Sequence, residues 1–282
     1  MRRIVLAAMI GCHSAPSAVL PAWTVVEDFG VSPASRPVGE PVVVQPHILA
    51  PGSTGTQEIT VTDLLVIRFA DGGKHQRNEQ HVKLAWKVLA VDEDDHVSKL
   101  VVTVADATTA VDVDGNADHE ALLRGAYLVT YVEGVVKALH ADGTPVDVRE
   151  TETLENAVGD LLVRDRLTRL LMAHPLRAGE AVALKSHEVH DVMNRDPMPG
   201  TYTLSLRELA TRSATYRIDG RATGPGIFGE GTAEQQVRFT FTFDLARGRV
   251  IEAEVVRHKL EQSKKRTSET HSHEKWTTAI TH

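Results

Sequence analysis

The chain has 282 residues, 42% of them hydrophobic and 24% charged, with a formal net charge of -7. That balance describes a folded globular protein; its mild acidity gives no case for nucleic-acid binding, and no apolar run approaches the roughly 20 residues of a membrane-spanning helix. A single cysteine excludes an internal disulfide and a cysteine-based metal centre, and 5% aromatic residues leave the core to Val, Leu, Ile and Ala.

Residues 1–12, MRRIVLAAMIGC, read as a targeting segment. Arg2 and Arg3 form a basic start, Ile4 to Ile10 an apolar run, and Gly11 precedes Cys12. A basic n-region, an apolar h-region and a small residue at the processing point mark a secretory signal. A Cys directly after a small residue resembles a bacterial lipobox, which implies that Cys12 is lipidated and becomes the mature N-terminus. Met9 stands where a lipobox has Leu, and Ile10 where it has a small residue. The competing reading is a buried first strand with a free thiol.

Residues 13–56 hold seven of the 12 prolines. Proline fixes φ and removes a backbone donor, so this segment is expected to be a semi-extended tether, with one short edge strand at Pro41–Val44. From Gln57 the pattern turns to period two. Ile59, Val61, Leu65, Ile67 and Phe69 alternate with polar residues, and a register break is expected at Asp63-Leu64. Lys83–Val91 and Ser98–Ala105 are the next strands. Tyr127–Val132 and Val135–Leu139 flank Glu133-Gly134 as a hairpin. Residues 57–150 form a first β-rich half.

Thr151–Met172 predicts one amphipathic linking helix within 151–174. Leu154, Val158, Leu161, Leu162, Asp165, Thr168, Leu171 and Met172 form its stripe, with Thr151 or Thr153 as the cap and His174-Pro175 as the stop. Residues 175–282 form a second β-rich half. Its expected strands are Val182–Val189, Thr201–Leu209, Ser213–Ile218, Gln236–Leu245, Arg249–Gln262 and Lys275–Ile280, with a hairpin at Arg247-Gly248. The fold class is therefore mainly β (α+β), with curved antiparallel sheets and one central helix at about 151–173.

The halves share a hydrophobic pattern. Leu84–Val91 matches Thr201–Arg207 at an offset of 117 residues, and the run from Tyr127 matches that from Phe239 at an offset of 112. A divergent duplication and two generic meanders both account for this. The layout resembles bacterial envelope lipoproteins of unknown function with two similar β-rich halves. It also resembles lipoprotein carriers of the LolA and LppX type, which implies a curved sheet cupping helices around a lipid cavity. The resemblance spans about residues 57–280 in pattern only and carries over no ligand residue.

Gly224-Pro-Gly226-Ile-Phe-Gly229 satisfies G-x-G-x-x-G. The run after it alternates as a strand, so a hairpin or bulge is expected, with Ile227 and Phe228 as candidate contacts for a partner or membrane. His187-Glu188-Val189-His190 looks like a truncated zincin motif, in a segment read as β, where the two imidazoles point to opposite faces. His271 and His273 share one strand face and are candidate metal ligands, with His258 joining from a neighbouring strand. Asp112, Asp114 and the acidic residues after them resemble a calcium loop but miss the Gly and Glu of an EF-hand. Asp92–Asp95 and Lys264-Lys265-Arg266 read as solvated turns and loops.

Three functional readings stay open. The first is a non-catalytic, exported envelope lipoprotein, periplasmic or outer-surface, whose partners are the membrane through its anchor and another envelope protein. The second is a carrier of a lipid or other apolar ligand. The third is a metal-dependent hydrolase built from His187, His190, His271 and His273. The sequence calls for no cofactor, and the balance leans away from catalysis.

Overall fold

The structure, a computed structural model, describes residues 38–46, 48–93, 96–132, 135–162, 166–193, 199–226 and 231–281. The Cys12 segment and residues 13–37 lie outside the described residues. Strands β1 (Val38–Val42), β2 (Thr54–Phe69), β3 (Gly72–Val91), β4 (Val97–Val113), β5 (Asn116–Ala121), β6 (Ala126–Val132) and β7 (Val135–His140) come first. Helices α1 (Val148–Leu162) and α2 (Arg166–Ala173), strands β8 (Leu176–Ala178) and β9 (Ala181–Leu184), and helix α3 (Ser186–Met193) follow. Strands β10 (Gly200–Leu209), β11 (Ser213–Pro225), β12 (Thr232–Asp244), β13 (Arg249–Gln262) and β14 (Arg266–Thr281) complete the chain. The protein is mainly β, and its strand pairs are antiparallel.

One sheet runs β7-β6-β4-β3-β2-β14-β13-β12-β11-β10-β9, with β5 beside β4. Two meanders meet where β2 pairs with β14, from Thr54↔Thr281 to Phe69↔Arg266. The register break expected at Asp63-Leu64 does not occur. β2 is paired on both sides without a shift, and Asp63 is accommodated by a hydrogen bond from the Ser272 hydroxyl. Turn chemistry sets the other registers. Asp114 and Gly115 link β4 to β5 with φ of 51° and 88°, the two positive values a tight type I′ turn requires. Asp244 Oδ1 accepts the N–H groups of Ala246 and Arg247 in the β12–β13 turn.

The helices cover one face, over two apolar clusters. On β14, even-numbered Trp276 packs against the first cluster and Ile280 belongs to the second, so both lie on the same side of the pleat. The first cluster gathers Leu167, Leu170 and Leu171 of α2, Val189 of α3, and Tyr216, Phe239, Phe241 and Phe243. The second gathers Leu154, Val158 and Leu162 of α1 with Leu84, Trp86, Leu100 and Tyr127. Aromatic residues are few but concentrated: three of the six phenylalanines alternate along β12, and Phe241 stacks on Tyr216 at 5.6 Å.

Four further expectations are corrected. The Pro-rich segment is not tether throughout: β1 pairs with β8, Val44 is buried in the first cluster and Leu49 in the second. The helix expected over 151–173 is not the sole one, since α3 follows it; its described parts, α1 and α2, serve different clusters, and Met172 is 49% exposed. The cap is Asp147, whose Oδ1 accepts the Glu150 N–H, while Thr151 and Thr153 donate back to carbonyls one turn earlier. The strand expected over Val182–Val189 ends at Leu184, and α3 begins at Ser186. Glu188 Oε2 accepts the Lys185 N–H at 2.7 Å, and Val189 and Val192 turn toward the core at helical spacing.

Gly55 is required by contact. A Cβ there would lie 2.3 Å from the Ala279 carbonyl and 2.4 Å from Trp86 Cζ2, whereas one on Gly159 of α1 would meet nothing within 4 Å. Gly55→Ala is expected to destabilise by about 1–3 kcal/mol or more, and Gly159→Ala to stabilise by about 0.5–1 kcal/mol, in urea unfolding. Equal effects would contradict this packing.

Candidate functional site

The face away from the helices is polar and ordered by register. On β14, odd-numbered Glu269, His271, His273 and Lys275 point to it. Cross-strand pairing sets Leu260, Glu269, Val66 and His75 in one row, and His258, His271, Leu64 and Arg77 in the next.

His258 and His271 stand directly opposite, with ring centroids 4.6 Å apart and planes at 24°. Each presents Nε2 to Glu269 Oε1, at 3.0 Å and 3.1 Å. Arg68 Nη1 donates to Oε2 of the same carboxylate at 3.3 Å. The three ligand-type atoms, two imidazole nitrogens and one carboxylate oxygen, lie within 4.8 Å of one another; among the described residues this is the group of metal-ligating type that assembles. Burial works against the charge on Glu269, but the His258 hydrogen bond, the His271 charge and the Arg68 hydrogen bond outweigh it and hold the carboxyl below its ordinary range.

A second array lies along the same face. His81 bridges two strands: Nε2 meets Glu58 Oε1 at 3.0 Å and Nδ1 meets Asp106 Oδ2 at 2.9 Å. The Glu58 hydrogen bond, then that of Asp106, raises the His81 pKa. His81 and Lys83 in turn lower that of Glu58. His273 meets Glu254 at 2.7 Å and Lys275 meets Glu252 at 2.8 Å.

The sequence candidates are dispersed. His271 keeps His258, as its strand position suggested, but gains Glu269, while His273 turns to Glu254. His187 and His190 lie on α3, not on a strand, and α3 packs on the helix-covered face, the opposite side of the sheet from His271 and His273. Glu188, the zincin-like carboxylate, serves the helix start and meets His174 at 2.7 Å; the Lys185 N–H leads in lowering its pKa. Asp112 and Asp114 build the hairpin: their Oδ1 atoms accept the N–H groups of Gly115 and His75. β11 and β12 pair antiparallel up to Pro225 opposite Thr232, while Ile227 and Phe228 lie outside the described residues. Glu269 and Arg68 were missed. Glu269 had a signal, sitting two residues before His271 on the same strand face.

No family model and no curated protein matches the chain. Among solved structures, the S-type phycobiliprotein lyase CPES from Guillardia theta aligns at 9% identity and a TM-score of 0.20, over 79% of this chain and 88% of its own. DynF from the dynemicin biosynthesis pathway of Micromonospora chersina aligns at 8% and 0.21, over 86% and 92%. OccK5 (OpdH) of Pseudomonas aeruginosa aligns at 8% and 0.19, over 74% and 62%. Similarity at this level carries no argument about function.

The His81 bridge makes a pH prediction. Its folded pKa lies above the unfolded value of about 6.5, so its stabilisation is fully present below that pH and lost as pH rises through the folded value. Glu58, lowered, contributes above its unfolded value and loses that contribution as pH falls. An NMR titration should place the His81 midpoint above that of an unperturbed histidine side chain, about 6.5, and the stability gap between wild type and His81→Asn should shrink from acid to alkaline pH. A gap independent of pH would contradict the bridge.

Proposed function

We propose that the chain is a non-catalytic, exported protein of the cell envelope, anchored by a lipid on Cys12, whose working surface is the helix-free face of the sheet. The observation that carries this reading is the organisation of that face. Histidines, carboxylates and basic side chains are paired across β4, β3, β2, β14 and β13, while most buried apolar side chains collect in the two clusters beneath the helices. Exposed ion pairs contribute only about 0–1 kcal/mol each, so contact with a ligand or partner accounts for such a face better than stability does. The basic start, apolar run and Gly11-Cys12 support export and anchoring.

One observation favours the carrier as a second reading. Trp86 Nε1 and Gln57 Oε1 are buried on the helix-covered face with no hydrogen-bond partner among the described residues. They stand on adjacent strands, since Gly55 pairs with Trp86 and Gln57 with Leu84. An orphaned buried polar atom costs about 1–3 kcal/mol, and a guest hydroxyl satisfies both a donor and an acceptor.

Two measurements separate these readings. Wild-type chain should fractionate with membranes and Cys12→Ala with the soluble fraction; a Cys12→Ala chain that stays in the membrane refutes the lipid anchor. Native mass spectrometry of the detergent-free Cys12→Ala chain, which cannot carry the anchor, should return the bare polypeptide under the first reading. Extra mass that extracts into chloroform would replace it with the carrier.

A further inference from the structure

We propose that His258, Glu269 and His271 form a binding site for a divalent transition-metal ion, with Arg68 as the residue that aims the carboxylate. This names the ligand of the face read above as the working surface, and rests on that reading without depending on export.

The register builds the site. Opposed residues of an antiparallel pair emerge on the same face, so His258 and His271 bring their imidazoles together wherever the β13–β14 ladder forms. Glu269 joins them because residues two apart on a strand share a face. Zinc takes imidazole nitrogen and carboxylate oxygen at about 2.0–2.2 Å, which sets tetrahedral ligands about 3.3–3.5 Å apart. The two Nε2–Oε1 separations, 3.0 and 3.1 Å, fall a few tenths of an ångström short of that. A small opening therefore exchanges the shared hydrogen bonds for metal bonds. Each ring enters as its neutral Nδ1–H tautomer, its Nε2 proton having moved through solvent.

The donors choose the cation. Two imidazoles and one carboxylate suit Zn²⁺ and its borderline neighbours, whereas Ca²⁺ and Mg²⁺ prefer oxygen. Sites with two His and one carboxylate keep a fourth position for water, and the exposed side of His271 provides it. Arg68 occupies Oε2 and leaves Oε1 facing the rings, an outer-shell contact of the kind that orients ligands. Leu260 and Val66 flank Glu269 and Leu64 flanks His271 in register, so apolar neighbours stand beside the ligands on one side while His271 stays open to solvent on the other.

The test is calorimetric titration of untagged, chelator-stripped full-length chain with Zn²⁺ alone, with circular dichroism as the check on fold. One saturating equivalent is expected. His258→Ala, His271→Ala and the near-isosteric Glu269→Gln should each weaken binding at least about tenfold, and Arg68→Met by about tenfold. His273→Ala, which removes a nearby imidazole paired elsewhere, should leave it unchanged. The proposal is overturned by a chain that takes up no saturating equivalent, or by a folded Glu269→Gln that binds as wild type does. Either failure leaves the Cys12→Ala fractionation untouched, so the metal site and the envelope reading fail separately.

Discussion

The pairing of β2 with β14 holds the architecture together. Successive hairpins build the rest of the sheet, but this ladder joins the first long strand to the last through sixteen register pairs. Closing so long a loop carries an entropic cost that grows slowly, by about 0.6 kcal/mol per doubling of its length. A ladder of that length, with Trp276 and Ile280 on one of its faces, offsets it. Without the ladder, each meander would keep its own helices but expose an edge strand of sixteen residues.

The same ladder divides the work between two faces. On one, α2 and α3 cover the cluster around Phe239, Phe241 and Tyr216, and α1 covers that around Trp86 and Tyr127. Tyr127 ties α1 to the sheet: its hydroxyl accepts from the Arg124 N–H and donates to Glu150, and burial pushes its pKa up to about 12. On the other face, the ladder sets Arg68, Val66 and Leu64 beside Glu269 and His271. The cluster thus draws on residues some 200 positions apart in the chain, Arg68 and Glu269 being separated by 201.

Strand-level structure was legible where alternation was strong and turns were marked. Arg249–Gln262 matches β13 residue for residue, and Tyr127–Val132 nearly matches β6. Helix boundaries were less legible. Asp147-Val-Arg-Glu150 carries a capping signal, but the eye falls on the richer Thr151–Thr153 run. The stretch from Leu154 to Leu171 keeps one period while serving two clusters, so periodicity alone could not divide it. Val182 and Ala183 are strand-like, and α3 is too short to announce itself by period. The site was half legible. That His271 and His273 share a face follows from period two; that His258 faces His271 requires the register of the β13–β14 hairpin, fixed by Gln262↔Thr267 around Ser263–Arg266. Arg68 could not be read at all, because nothing local links β2 to β14.

Long-range pairing of β2 and β14, in this register, sets Arg68, Val66 and Leu64 against the imidazole–carboxylate cluster that the β13–β14 hairpin brings together. Nuclear Overhauser spectroscopy of the His271 ring tests it most directly. Cross-peaks are expected from that ring to the His258 ring on one side and to the Leu64 methyls on the other, since both stand opposite it. Cross-peaks to His258 without any to Leu64 would mean that the hairpin forms but the ladder does not lie in this register, and would contradict the account.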